Sequence, residues 1–168
     1  VAEYYRSVNA RVIEHLGFEL DDAILDEIHN QFNTPVTWKP YPEAIDFLRD
    51  LRSVGYRLGV ISNASPALPE TLRRTGLAPY LDTITYSSEV GAEKPHPKIF
   101  RAAVARAGIP PERALHVGDS YEADYLGARS AGLHAVFLCR EGQPPGPCPS
   151  IRSLAELSAL LRAGRSRK

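Results

Sequence analysis

Twenty basic residues balance twenty acidic ones in a chain of 168, so charge gives no reason to expect binding to nucleic acid or to an anionic membrane. A chain of this length buries about 70% of its unfolded surface and forms one ordinary domain, or a main domain with a small appendage. Cys139 and Cys148 lack CxxC spacing and no apolar run is long enough to span a bilayer, which argues against a disulfide framework, a cysteine metal site or a membrane span, and for a reducing interior such as the cytoplasm.

The first 36 residues read as all-helical. Apolar residues at Val1, Tyr4, Tyr5, Val8, Val12, Ile13 and Leu16 form one helical stripe that Gly17 stops. A second helix opens at Asp21-Asp22, carries Ile24, Leu25, Ile28 and Phe32, and ends at Asn33-Thr34-Pro35. His15 and His29 are isolated there and read as surface or packing residues. The chain contains no methionine and opens on Val1 inside a helical pattern, so a processed or truncated start is expected.

Residues 37–168 read differently. Trp38-Lys39-Pro40-Tyr41-Pro42 is an extended connector, because residues before proline avoid the helical region. Helices are predicted over 43–54, 69–75, 97–107, from just after Asp119 to Gly132, and 150–161. Strands are predicted over 56–61, 81–86, 114–117 and 134–138, with polar loops at 87–97 and 141–149. The basic end, residues 162–168, reads as a solvated tail. Regular alternation of helix and strand predicts an α/β fold: a three-layer parallel sheet with helices on both faces.

Chemistry gathers where strands end. Ser62 and Asn63 offer a hydroxyl and backbone N–H groups at one tip, a suitable cradle for a phosphoryl oxygen. Lys94, held before Pro95, offers a point charge for an oxyanion. Asp119 follows Gly118 at a third tip, with Asp124 five residues later, and this pair suits a hard cation such as Mg²⁺. Taken singly, each has a plainer reading: a serine in a turn, a surface lysine, an aspartate capping a helix. In an open parallel sheet all three leave one edge, where ligands bind.

These stretches resemble the haloacid dehalogenase superfamily of aspartate-nucleophile hydrolases. Val60-Ile61-Ser62-Asn63 is similar to its second motif, Lys94-Pro95 to its third, and Gly118-Asp119-Ser120 through Asp124 to its fourth, continued by Tyr125-Leu126-Gly127-Ala128-Arg129-Ser130-Ala131-Gly132. The resemblance covers residues 40 to about 160 and implies a Rossmann-like core, with residues 1–36 the remnant of a small helical cap. It further implies that Ser62 and the Asn63 backbone bind the phosphoryl group, and that Lys94 holds that group against the nucleophile. Asp119 would ligate Mg²⁺ and Asp124 would orient it from behind, with a small phosphorylated metabolite as substrate. The family's first motif, a strand ending in Asp-x-Asp, has no counterpart here; Asp21-Asp22 is adjacent and opens a helix. A metal-free 2-haloacid dehalogenase and a non-catalytic scaffold of this fold are the alternative readings. In the superfamily the first strand lies between those ending at Ser62 and Asp119. Without it, two outcomes are expected: the flanking strands pair directly, or they keep open, aggregation-prone edges.

Overall fold

The computed structural model describes residues 2–19, 21–33 and 38–165. All four predicted strands form where apolar runs meet a turn: β1 Gly59–Ser62, β2 Thr83–Tyr86, β3 Leu115–Gly118 and β4 His134–Leu138. A fifth, β5 Ser150–Ile151, occupies the start of what was expected to be the closing helix, which instead runs Leu154–Arg165. Its Ser150 pairs with Phe137 and its Ile151 with Leu138, so a partner strand overrides local helical pattern. Every pairing is parallel: β1 with β2, β3 with β4, β4 with β5. This is a mixed α/β fold with parallel strands, as expected.

Among the described residues, α-helices surround the strands or precede them: α1 Ala2–His15, α2 Asp22–Asn33, α3 Ala44–Ser53, α4 Leu68–Arg74, α5 Ser87–Val90 and α6 Pro97–Ala107. Helix α7, Gly127–Ser130, is preceded by a π-helical turn over Tyr121–Leu126, and α8 is the closing helix, Leu154–Arg165. Helices α1 and α2 pack on one another, joined by Arg6, which pairs with Asp22 at 2.7 Å and with Asp26. The expected end of α2 at Thr34-Pro35 lies outside the described residues, as do Val1 and residues 166–168 of the tail. Short α5 stands where an irregular polar loop was expected. Among the described residues no helix is long and apolar enough to cross a membrane.

The sheet is in two parts. Among the described residues β1–β2 form one and β3–β4–β5 the other, with no hydrogen bonding between β1 and β3. Direct pairing of these two strands, the first expected outcome, therefore does not occur. Helix α6 holds the halves together instead. Its Ile99 and Phe100 are wholly buried, and with Val104 they share one cluster with Ala128, Ala131, Leu133 and Ala135. Ile61 of β1 and Ala114, at the foot of β3, both pack against this cluster. Burying each large side chain stabilises the fold by about 1.5–3 kcal/mol, so one helix face does the work that a ladder of hydrogen bonds does elsewhere.

Candidate active site

Two strand tips and one loop meet through a continuous set of hydrogen bonds. Asn63, the residue after β1, donates from Nδ2 to the Lys94 carbonyl at 3.0 Å, and the Lys94 N–H donates back to Asn63 Oδ1 at 2.7 Å. The loop bearing Lys94 is thereby fastened to the end of β1, and the Lys94-Pro95 peptide is cis. Lys94 Nζ then reaches across to Asp124 Oδ1 at 2.5 Å. The same oxygen accepts from His116 Nε2 of β3 at 2.9 Å, and Asp124 Oδ2 accepts from the Ser120 N–H at 3.0 Å.

Local backbone explains how Asp124 reaches this position. The π-helical turn carries an i to i−5 bond, the Tyr125 N–H donating to the Ser120 carbonyl at 3.2 Å. Such widened turns occur mostly where a side chain must be re-aimed. Here the turn brings Asp124 inward to 3% exposure. Gly118 makes room for it: a Cβ there would lie 2.2 Å from Asp124 Cγ. Gly127 does the same for the lysine loop, since a Cβ there would lie 2.9 Å from Pro95 Cα. Burial would push the Asp124 carboxyl up, but His116, Lys94 and the Ser120 N–H together outweigh it and hold the group well below the usual carboxylate range.

The remaining expected residues are placed as follows. Ser62 closes β1 beside Tyr86 of β2, and its hydroxyl makes no side-chain hydrogen bond among the described residues. Asp119 sits one residue past β3, exposed, and is likewise without a side-chain partner among the described residues. It does not cap the following helix; Ser120 does, its Oγ accepting from the Ala123 N–H at 3.1 Å. Sequence reasoning missed three contributors: His116, the side chain of Asn63, and Ser87. The Ser87 hydroxyl is buried, accepts from the Ala64 N–H at 3.1 Å and donates to the Ala64 carbonyl at 3.3 Å, which fixes the loop after Ser62.

No group of three or more His, Cys, Asp or Glu side chains suited to a metal ion occurs among the described residues. Asp124 has its oxygens committed, whereas those of Asp119 are free. One carboxylate is nonetheless what magnesium takes at many phosphate sites, where water and the substrate's own oxygens complete its shell. The residues present fit such an ion on Asp119.

A model of the haloacid dehalogenase-like hydrolases matches residues 3–132. The chain belongs to this family. A haloacid dehalogenase-like hydrolase domain-containing protein 3 of Mus musculus is 38% identical over 145 residues, which cover 83% of this chain and 57% of that protein. A glyceraldehyde 3-phosphate phosphatase of Methanothermobacter thermautotrophicus is 43% identical over 104 residues, 61% of this chain and 46% of that enzyme. The chain thus spans about half the length of these relatives. The crystal structure of a phosphatase of the family from Thermococcus onnurineus superposes with a TM-score of 0.72 at 34% identity, covering 89% of this chain and 68% of that one. In this haloacid dehalogenase-like hydrolase, the lysine loop and both fastened strand tips fall within the matched residues.

Proposed function

We propose that this chain carries the phosphoryl-holding and metal-holding part of a Mg²⁺-dependent phosphomonoester hydrolase acting on a small phosphorylated metabolite. One observation carries the reading: Lys94 is fastened at its backbone to the end of β1 and at its ammonium to Asp124, while the carboxylate of Asp119, one residue before the Ser120 N–H that donates to Asp124, stays free. In this arrangement the Ser62 hydroxyl and the Asn63 N–H receive phosphoryl oxygens. The Lys94 ammonium offsets their charge, which is the largest service a site can render to phosphoryl transfer. Asp119 would hold the magnesium ion, which when bound neutralises charge on the transferring group. Asp124 serves both sides, pinning Lys94 with one oxygen and, through the Ser120 N–H, the loop that bears Asp119 with the other.

Attack on phosphorus needs a carboxylate that these residues do not offer. No Asp-x-Asp occurs anywhere in the 168, and the committed Asp124 cannot serve. Phosphoryl chemistry is favoured over metal-free dehalogenation because the exposed Asp119 carboxylate has no protein partner among the described residues and is available to a cation. The names of two relatives, both phosphatases, point the same way. The free thiols of Cys139 and Cys148 suit a reducing compartment.

Calorimetric titration with orthophosphate tests the reading. Binding that requires Mg²⁺ and vanishes in Asp119→Ala is expected. Equal binding by the variant, or none by either, would count against it.

A further inference from the structure

We propose that His116 is a positioning residue of this site: its Nε2–H anchors Asp124 from behind, so that Lys94 is presented at one fixed point. The consequence for catalysis rests on the reading of Lys94 as the phosphoryl clamp. The hydrogen-bond geometry does not.

An ionised carboxylate only accepts hydrogen bonds. Asp124 is paired with the Lys94 ammonium at 2.5 Å and so acts as the acceptor, which assigns the hydrogen to the ring nitrogen 2.9 Å from its Oδ1. His116 is itself held. Its side chain is 10% exposed, and its ring stands edge-on to Phe100 at 84° with centroids 5.2 Å apart. Phe100 is wholly buried at the centre of the core cluster. Order therefore passes from the packed core to the imidazole, from there to the carboxylate, and from there to the ammonium.

A lysine ammonium on four methylenes is otherwise a poor fixed point, because its three donors rotate freely. Here its counter-ion is held at both oxygens, by His116 and by the Ser120 N–H, and its own backbone is clamped by Asn63. The strand contributes twice to the same end. Residues two apart on a strand share a face, so the donor at 116 and the space left by the missing side chain at Gly118 both serve Asp124.

The test is nuclear magnetic resonance on the ¹⁵N-labelled 168-residue chain, which needs neither metal nor turnover and so stands apart from the phosphatase reading. Long-range proton–nitrogen spectra of the wild type should show His116 protonated at Nε2. The slowly exchanging Lys94 Nζ–H signal should persist in His116→Gln, whose amide reaches the Nε2 position, and be lost in His116→Leu. An unprotonated Nε2 in the wild type would overturn the proposal, and this observation requires no variant to fold. Survival of the Lys94 signal in His116→Leu would overturn it too. So would its loss in both variants, since packing and not the donor would then hold the lysine. Failure to bind orthophosphate with both signals as expected would sink the phosphatase reading alone.

Discussion

At Asp124, burial and hydrogen bonding pull in opposite directions. Burial favours the neutral carboxyl, but His116, Lys94 and the Ser120 N–H favour the anion and win, so the folded pKa is depressed. A depressed carboxyl contributes stability above its unfolded value of about 4, and that contribution is lost as pH falls through the folded value. Acid titration followed by circular dichroism should therefore show stability declining below pH ~4, and the decline should be shallower in Asp124→Asn. At neutral pH the same variant leaves Lys94, whose side chain is 14% exposed, without its counter-charge. Breaking a buried pair in this way costs about 3–5 kcal/mol, to be read as a lowered urea midpoint. The sequence singled out Asp119 and Ser62 because each stands at or just past a strand tip, and Lys94 because it precedes a proline in a polar loop. It left His116 and the Asn63 side chain unseen, since their partners lie 8 and 31 residues away and no local spacing marks such contacts.

Elements were legible wherever periodicity ran long enough. Helix α6 announced itself through Ile99, Phe100, Ala103 and Val104, all of which are buried. The two-residue β5 did not, because only pairing with β4 defines it. The π-helical turn was equally hidden: the spacing of Tyr121 and Tyr125 reads as ordinary helix, and it is the demands of Asp124 that widen it. Their rings stack at 5.4 Å all the same. Close approach between α7 and the lysine loop gives an expectation at this scale. In Gly127→Ala the new methyl would lie 2.9 Å from Pro95 Cα and 3.0 Å from the Phe100 ring. Neither backbone nor core ring moves cheaply, so the substitution should cost about 1–3 kcal/mol. Thermal melting would check this, and an unchanged midpoint would mean that the loop yields.

For the whole molecule, the feature that matters is the open run between β1 and β3. Each strand has one neighbour and one edge unpaired by the other half of the sheet. Unsatisfied buried backbone groups cost about 1–3 kcal/mol apiece, against a typical net stability of about 5–15 kcal/mol. Two edges joined through side-chain packing and ion pairs, and not through a ladder of hydrogen bonds, are therefore expected to make the isolated chain aggregation-prone. Light scattering during a thermal ramp would show this as association before or with unfolding; a monodisperse monomer with one cooperative transition would contradict it.

The fold class was legible from alternation alone, and an open gap beside β1 and β3 was one of two expected outcomes; which of the two occurs was not legible, because strand neighbours are set by contacts between distant segments. The central claim is that these residues hold a phosphoryl group without attacking it, since no positioned carboxylate nucleophile is among them. The most direct measurement is release of p-nitrophenol from p-nitrophenyl phosphate by the purified 168-residue chain in Mg²⁺, beside Asp119→Ala. No turnover above that control is expected. Turnover that Asp119→Ala abolishes would contradict the account, because it would place the attacking group inside this chain.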